Sequence, residues 1–356
     1  MTLKKYNFKL FFLLVFLAIS CNSAKENTKI DKGFYYWKTD FLWNEDDNKV
    51  VIKQLKSKKL YIRLFDVIWQ NNAVQPAGTL SFTDSLPKNE LAIIAVVFIT
   101  QDVVRQIPEN QIDSLAKNIV IKIYNMLQRQ KINHIEELQI DCDWTEKSKK
   151  TYFKLLESIK KYKAINESNN IVKLFKNSEI SCTIRLYPMK YYKKLGIPPV
   201  DKGMLMCYNL ENPTILANKN SILSYKTAAA YLSALPNYPL QLDIALPIFA
   251  WSVQFRNGKF LRLLHEIRHK NLLQNTDFQE LEPNIFRAIQ TTSLNKQDIL
   301  AGDIVRVDEI SATELEKVYQ LINEKINSDT KKRNVIFFDY NKEILSNIDN
   351  IIYRLN

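Results

Sequence analysis

Two aspartates stand two residues apart at the end of an apolar segment in the middle of the chain. The segment ELQIDCDWT covers residues 137–145, and the aspartates are Asp141 and Asp143. Because side chains alternate along a β-strand, both carboxyl groups would lie on one face, with Cys142 on the other. A buried carboxylate needs an ionic partner, a proton or a ligand to offset its desolvation. The spacing therefore predicts either acid–base chemistry at a strand end or an ion pair in the core.

Polar and aromatic residues also follow the ends of other apolar segments. The predicted substrate-binding residues are Trp37, Asp40, Asp66, Trp69, Arg185, Tyr187, Tyr208, Asn209, Trp251 and Asp339. Aromatic faces stack on the C–H surfaces of sugar rings, while carboxylates and arginines bind hydroxyl groups. The set indicates a carbohydrate-directed cleft, in which the predicted sugar platforms are Trp37, Trp69, Tyr208 and Trp251. The alternatives are ordinary barrel packing for the aromatic residues and, for Asp141, a core ion pair with Arg185 or Arg63.

Eight short apolar segments, rich in β-branched and aromatic residues, recur along the chain. They cover residues 33–41, 60–69, 91–100, 137–144, 179–187, 203–209, 240–251 and 334–340. Amphipathic segments typical of helices separate most of them, at residues 110–131, 148–162, 222–235 and 311–326, and a further one closes the chain at 342–355. Strands that alternate with helices predict parallel βα units, and eight such units predict a TIM-like (β/α)8 barrel. The active site of such a barrel lies at the C-terminal ends of its strands, where both aspartates fall.

Two regions depart from a regular alternation. Residues 70–90 lack a helical pattern, so the second unit is expected to contain a loop instead of a helix. The chain is also longer than eight units require between about residues 252 and 303, which predicts an insertion after the seventh strand. Within it, FRNGKF at 255–260 places an Asn-Gly turn between two arms typical of a β-hairpin.

The first twenty residues have the features of a signal peptide. A basic start precedes the apolar run Leu10–Ile19, which is about half the length that a membrane-spanning helix needs. The ending LAISC resembles the lipobox of bacterial lipoproteins, which predicts that Cys21 is lipidated and that residues 21–32 form a flexible tether. Residues 33–356 would then be one barrel domain, anchored by lipid to a membrane of the bacterial cell envelope, with the outer membrane favoured.

Composition excludes several classes of function. The 356 residues carry a formal charge of +12 in scattered runs of lysine, and no nucleic-acid recognition motif accompanies that charge. The six glycines form no phosphate-binding loop, so we expect no nucleotide and no other cofactor. Three cysteines follow Cys21 on separate predicted strands, which favours small core residues over disulfides. They are Cys142, Cys182 and Cys207. We expect a monomer.

The segment HEIRH at residues 265–269 matches the zinc-peptidase pattern H-E-x-x-H. In that pattern two histidines one helical turn apart bind zinc, and the glutamate is the general base. Here the roles would fall to His265, Glu266 and His269, with Glu280 or Glu282 as a third ligand. The alternative is an amphipathic cover helix whose histidines are solvated, and this alternative requires no metal.

Three short segments resemble motifs of family 18 glycoside hydrolases, the chitinase group. LQIDCDWT resembles the fourth-strand motif D-x-x-D-x-D-x-E, MCYN at 206–209 resembles the sixth-strand motif M-x-Y-D, and ALPIFAW at 245–251 resembles a seventh-strand segment. The whole chain is most similar to a family of uncharacterised bacterial barrel proteins, exported or lipid-anchored, that are distantly related to these hydrolases. That likeness rests on YYWKTDF, QIDCDWT with YFKLLESIK, and WSVQFRNGK.

The resemblance also shows what this chain lacks. In the chitinase group the last glutamate of the motif protonates the leaving oxygen, and the aspartate two residues earlier orients the N-acetyl group that attacks. By register that aspartate is Asp143, and the acid's position is Thr145, whose hydroxyl does not donate a proton near neutral pH. Leu138 stands at the first acidic position, and strand alternation would point Glu146 to the opposite face.

Three functions follow from these patterns. The first is hydrolysis of a glycan or glycoconjugate, with Asp143 as the catalytic carboxylate and Asp141 as its orienting neighbour. The second is a glycan-binding lipoprotein that uses the same cleft without catalysis. The third is a zinc peptidase that uses the HEIRH segment.

Overall fold

A closed parallel barrel forms the body of the protein in the computed structural model, which describes residues 29–164, 169–265, 267–325, 332–342, 344–345, 350 and 352. Its strands are β1 (Lys29–Tyr36), β2 (Lys59–Gln70), β3 (Ala92–Ile99), β4 (Glu137–Asp141), β5 (Glu179–Arg185), β6 (Lys202–Met206), β7 (Leu242–Pro247) and β8 (Lys332–Phe338). Each strand pairs in parallel with the next, and β8 pairs with β1 to close the ring. The predicted (β/α)8 barrel is therefore confirmed.

Helices connect the barrel strands and cover the outer surface. The longer ones are Ile112–Arg129, Lys149–Ala164, Tyr225–Leu232 and Ala312–Lys325, and shorter ones are Glu45–Asp47, Gln101–Gln106, Asn169–Leu174, Leu186–Lys190, Tyr192–Leu195 and His269–Leu273. A π-helical segment spans Asn48–Gln54. The last predicted helix falls mostly outside the described residues. No helix in the described part of the chain is both long and apolar enough to cross a bilayer.

The second unit contains a hairpin where a regular barrel has a helix. The end of β2 continues beyond the barrel and pairs in antiparallel fashion with Ala73–Ala77. A shorter parallel pair joins Asp40–Phe41 to Ser81–Phe82. The described residues 70–90 contain no helix, as the sequence predicted.

A polar layer fills the barrel where its strands begin, and we call it the N-terminal polar layer. Lys202 lies at its centre, with Nζ 2.8 Å from Glu137 Oε2 and 3.2 Å from Asp243 Oδ2. The Tyr61 hydroxyl donates to Glu137 at 3.1 Å, and Asn334 Nδ2 donates to Asp243 at 2.7 Å. These five residues come from five strands, so their hydrogen bonds hold the barrel together from inside.

A second sheet leaves the barrel after β7. Its five antiparallel strands are Trp251–Arg256, Lys259–Leu264, Phe278–Glu282, Ile285–Ala288 and Ile304–Asp308, and a small pair is formed by Thr292–Leu294 and Gln297–Ile299. The first two strands meet at the predicted Asn257–Gly258 turn, where both residues have positive φ of 51° and 73°. Such a turn needs left-handed backbone at both positions, which asparagine and glycine adopt most readily. The insertion packs around an apolar core of its own.

Candidate functional site

The end of strand β4 differs from the alternation that the sequence suggested. The strand stops at Asp141, and the Trp144 backbone N–H turns back to donate to the Cys142 carbonyl at 2.9 Å. The Trp144 ring is 4% exposed and packs on Tyr152 and Phe153, with ring centroids 6.3 and 5.2 Å away. Burial of this large apolar ring beneath the next helix ends the strand. The predicted strand at 137–144 therefore ends three residues early, and the prediction that Asp141 and Asp143 lie on one strand face is wrong.

Thr145 belongs to the start of the following helix. Its backbone N–H donates to Ser148 Oγ at 2.9 Å, its hydroxyl lies 3.3 Å from the same atom, and its carbonyl accepts from the Lys149 N–H at 2.9 Å. The neighbouring Glu146 is exposed and forms a surface ion pair with Lys194 at 2.9 Å. Thr145 thus lies in the turn that leads into this helix, and Glu146 has a surface partner.

Asp143 forms a two-point ion pair with Arg185, which ends strand β5. The distances are 2.6 Å from Nε to Oδ1 and 3.0 Å from Nη2 to Oδ2. Gln101 Nε2 fixes the same segment by donating to the Asp143 carbonyl at 2.8 Å. Planar two-point pairing of this kind fixes both groups in orientation as well as in charge.

The predicted ion pair of Asp141 with Arg185 or Arg63 is wrong. Arg185 binds Asp143, and Arg63 binds both carboxylate oxygens of Asp66 at 2.7 Å. Asp141 itself is buried and accepts a hydrogen bond from the Thr183 hydroxyl. Burial, with a smaller contribution from the negative charge of Asp143, raises the pKa of the Asp141 carboxyl from 3.8 to about 6, while the Thr183 hydrogen bond and the positive charge of Arg185 oppose this rise.

An aromatic cluster lies beside these charged groups. Tyr208 stacks on Phe338 with centroids 5.0 Å apart, Phe249 contacts both rings, and Trp37 packs edge-on against Phe338 at 5.3 Å. The Arg185 guanidinium lies 6.0 Å from the Tyr208 ring centroid. With 2% of its surface exposed, Tyr208 offers no open face to a sugar, so its predicted function as a stacking platform is wrong.

The Tyr208 hydroxyl is the unusual atom of this cluster. It is buried and has no hydrogen-bond partner within the described parts of the chain. A buried hydroxyl without a partner costs free energy, because its hydrogen bonds to water are lost without replacement. We call Asp141, Asp143, Arg185 and Tyr208 the mouth layer. In this layer the Tyr208 hydroxyl can donate a hydrogen bond to a ligand.

A cavity of about 420 Å³ opens next to the mouth layer. Five of the residues predicted from the sequence line it, namely Arg185, Tyr187, Tyr208, Asn209 and Trp251. Sequence reasoning missed the other lining residues, which are Leu186, Leu210, Glu211, Pro213 and Tyr231. Most of these lie in the loop and helix after β6. The sequence pattern there predicted only an amphipathic surface helix and gave no sign of a binding site.

The insertion supplies one residue of this cavity's lining. Trp251 is both the first residue of the second sheet and a lining residue, and its Nε1 donates to Asp308 Oδ2 at 3.2 Å. Asp308 is fully buried, accepts from the Ser221 hydroxyl, and pairs with Arg306 at 2.7 Å. Arg306 Nη1 also donates to the Ile215 carbonyl at 2.6 Å. This buried pair therefore fixes both Trp251 and the loop after β6.

The remaining predicted residues lie outside the cavity lining. Asp40 is exposed on its short strand, and Trp69 lies where β2 pairs with the hairpin strand. Trp37 borders the aromatic cluster, and the Arg63 guanidinium lies 5.7 Å from its ring. Asp339 follows β8, where burial raises its pKa to about 6 against the opposing charge of Lys38.

The HEIRH segment does not form one helix. His265 follows the strand Lys259–Leu264, whereas His269 begins the short helix His269–Leu273, and Glu266 lies outside the described residues. His269 Nε2 contacts Glu280 Oε1 at 3.0 Å. Within the described ranges no group of three histidine, cysteine, aspartate or glutamate side chains is arranged to bind a metal. The predicted cover helix and the one-turn spacing of the two histidines are both wrong.

The barrel has the fold of chitinase-like glycoside hydrolases, as the fourth-strand resemblance predicted. No family model matches the sequence, and no curated protein is significantly similar to it. The chitinase from Chromobacterium violaceum has a TM-score of 0.54 at 9% identity, covering 91% of this chain and 99% of that one. The Bacillus cereus spore cortex-lytic enzyme SleL has a TM-score of 0.52 at 10% identity, covering 92% and 74%. A Cycas revoluta class V chitinase mutant in complex with (GlcNAc)3 has a TM-score of 0.51 at 12% identity, covering 92% and 99%.

Proposed function

We propose that this protein is a glycan-binding barrel of the bacterial cell envelope that holds its ligand without hydrolysing it. The cavity beside the mouth layer is the binding site, and an N-acetylated glycan or glycoconjugate is the ligand. Several observations support this assignment, including a lining with exposed Tyr187 and partly exposed Trp251, and a fold shared with a chitinase that was solved with a GlcNAc oligomer.

The observation that carries the proposal is the two-point ion pair between Asp143 and Arg185. A carboxylate that attacks or orients a reacting group acts best when no cation neutralises it, whereas each oxygen of Asp143 already accepts a hydrogen bond from the Arg185 guanidinium. Thr145, which stands where the resemblance expects the acid, lies in the turn before a helix and contacts Ser148 there. The site therefore favours binding over the acid–base cycle of a hydrolase.

Binding uses the groups that remain available. Tyr187 is 53% exposed and offers a ring face to a sugar, and Asn209 presents an amide at the cavity wall. The unpaired Tyr208 hydroxyl gains a hydrogen bond when a ligand oxygen or amide reaches it. Because that hydroxyl is already desolvated, its hydrogen bond to a ligand contributes more binding free energy than a hydrogen bond at an exposed site.

Hydrolysis is the second candidate, and the pKa of Asp141 favours it. A carboxyl with a pKa of about 6 keeps its proton in about half of the molecules at pH 6 and in about a tenth of them at pH 7, far more than an ordinary aspartate does, and a general acid needs that proton. In this version Asp141 donates the proton and Asp143 is released from Arg185 when the substrate binds. The hydrolase would turn over a glycan, whereas the glycan-binding protein would not.

We also propose attachment to the outer membrane through lipid on Cys21. The lipobox-like ending LAISC supports this attachment, and the predicted tether would separate the barrel from the bilayer. Cys21 lies outside the described residues.

The test uses soluble protein that begins at residue 22. Binding of chitohexaose is measured by calorimetry, and release of reducing ends is measured on chitin oligomers and peptidoglycan. We expect saturable binding without turnover, and about a tenfold weaker affinity in Tyr187→Ala because an exposed stacking face is removed. Tyr225→Ala is the matched control, since Tyr225 is exposed outside the cavity lining and its loss should leave affinity unchanged. Turnover that disappears in Asp141→Asn would establish hydrolysis instead, and equal effects of both tyrosine variants would reject this cavity as the site.

A further inference from the structure

A second surface cavity of about 650 Å³ adjoins the binding site and carries positive charge. The residues that line it are Lys190, Tyr191, Tyr192, Lys193, Lys194, Ala234 and Asn237. Three of the seven are lysines, and no carboxylate is among them. A surface of this composition attracts anions, and its tyrosine rings provide flat apolar area between the charges.

The two cavities are neighbours, because side chains that line one contact side chains that line the other. The rings of Tyr187 and Tyr191 lie with centroids 4.7 Å apart, so the aromatic surface of the first cavity continues into the second. Lys190 Nζ lies 5.2 Å from the ring of Tyr231, which lines the first cavity, and 5.6 Å from the ring of Tyr191. A ligand several sugar units long that occupies the first cavity therefore extends across the lysines.

The charges in the two cavities are balanced differently. In the first, Arg185 is neutralised by Asp143, and Glu211 accepts a hydrogen bond from the Thr227 hydroxyl. In the second, Lys194 is the one lysine with a carboxylate partner among the described residues, and that partner is Glu146 at 2.9 Å. Lys190 Nζ donates to the Ala230 carbonyl at 2.8 Å, which leaves its charge uncompensated. The exposed Lys193 adds a further positive charge beside it.

We infer that the natural ligand is an anionic glycan whose carboxylate-bearing sugars lie on this second cavity. The neutral or N-acetylated unit occupies the first cavity, and the carboxylate of a following unit contacts Lys190 and Lys193 while its ring packs on Tyr191. This inference rests on the proposed glycan-binding function and adds the chemical class of the ligand. Lysines act here as point charges, so affinity for the anionic unit falls as salt rises.

The experiment compares two hexasaccharides on the soluble protein. Chitohexaose is neutral, while a hyaluronan hexasaccharide of equal length alternates N-acetylglucosamine with a carboxylated sugar. We expect hyaluronan to bind about threefold to tenfold more tightly at low salt, since each of two exposed charge contacts contributes modestly. The advantage should shrink at 0.5 M NaCl.

A pair of double variants isolates the second cavity. Lys190→Gln with Lys193→Gln should abolish the preference for hyaluronan by lowering its affinity to that of chitohexaose. Lys117→Gln with Lys317→Gln removes the same charge from exposed helix positions outside both cavities and should preserve the preference. A poly-glutamate peptide, which carries carboxylates without sugar rings, should bind weakly.

Each outcome has a distinct meaning. Equal affinity for the two hexasaccharides, or equal loss in both double variants, overturns the inference and leaves the proposed function standing. Failure of both sugars to bind overturns the proposed function together with it. Tight binding of poly-glutamate overturns the inference in favour of nonspecific attraction between opposite charges.

Discussion

The two polar layers of the barrel contain similar residues, but their carboxyl groups are paired with cations to different extents. In the N-terminal polar layer the carboxylates of Glu137 and Asp243 meet the ammonium group of Lys202, and the Tyr61 hydroxyl donates to one of them. In the mouth layer Asp143 meets a cation, but Asp141 has only a hydroxyl donor and the Tyr208 hydroxyl has no partner in the described structure. Charges satisfied by one another stabilise a fold, whereas groups left unsatisfied beside a cavity are available to a ligand.

The difference follows from position along the strands. Residues at strand beginnings face one another across a sealed interior, so every buried charge must find its partner there. Residues at strand ends face an opening, where loops bring in further side chains and leave space. Similar residue types thus pair with one another at one end of the barrel, and at the other end the proposed function assigns them to a ligand.

The largest effect is expected at the N-terminal polar layer. Lys202→Met leaves Glu137 and Asp243 buried without a cation, and breaking such a pair costs about 3–5 kcal/mol. The free energy of unfolding in urea measures this loss. Lys317→Met, on an exposed helix position, is the control and should change stability by less than about 0.5 kcal/mol. A small loss in Lys202→Met would mean that water or neighbouring side chains replace the cation, and the two layers would then be alike.

A pH-dependent effect is expected at the mouth layer. Because burial raises the pKa of Asp141 from 3.8 to about 6, the folded protein binds this proton more tightly than the unfolded chain does. Its contribution to stability is therefore complete below about pH 4 and is lost as pH rises through 6, by up to about 3 kcal/mol. Relative to the wild type, Asp141→Asn should gain stability over that interval.

Unfolding of both proteins in urea between pH 4.5 and 7 measures the effect. Taking the difference between variant and wild type cancels the titration of the other acidic groups. A difference that stays constant across the interval would contradict a raised pKa at Asp141.

The smallest and sharpest effect comes from two matched tyrosine substitutions. Tyr61→Phe removes a hydrogen bond to the Glu137 carboxylate and should cost about 1.5–3 kcal/mol of stability, with ligand affinity unchanged. Tyr208→Phe removes no hydrogen bond in the described structure, so stability should change little while affinity for chitohexaose falls several-fold. Unfolding and calorimetry on both variants test this crossover. Equal stability losses would show that Tyr208 is an ordinary core residue.

The sequence predicted the barrel well because its evidence is local and repeated. All eight apolar segments became barrel strands, and both the Asn257–Gly258 hairpin and the missing second helix were correct. The free, buried cysteines Cys142, Cys182 and Cys207 also agree with their predicted function as core residues. Each of these predictions needed only periodicity or turn chemistry within about ten residues.

The pairing of charges at the site was predicted incorrectly because it depends on where one strand ends. Alternation places Asp141 and Asp143 on one face only if the strand continues, and Trp144 instead packs under a helix and turns the chain outward. Asp143 then reaches Arg185, while Asp141 stays inside. No pattern within β4 shows which aromatic residue will be captured by a neighbouring helix.

The prediction for the HEIRH segment was wrong for the opposite reason. A short motif was assigned a helix that its structural surroundings do not allow. The five-stranded sheet of the insertion extends through Leu264, and the helix starts only at His269. Long-range pairing between strands therefore overrides a local helical pattern here.

Trp251 has a consequence for anyone who would redesign this protein. One residue is the first member of the insertion's sheet, a lining residue of the cleft, and a hydrogen-bond donor to the buried Asp308 beside Arg306. The insertion is consequently not a detachable module, since trimming it would take away a lining residue of the cleft and expose a buried charge pair. A graft that exchanges insertions between barrels would have to include Trp251, Asp308 and Arg306 as one unit. Such a graft would also change the ligand specificity of the cleft.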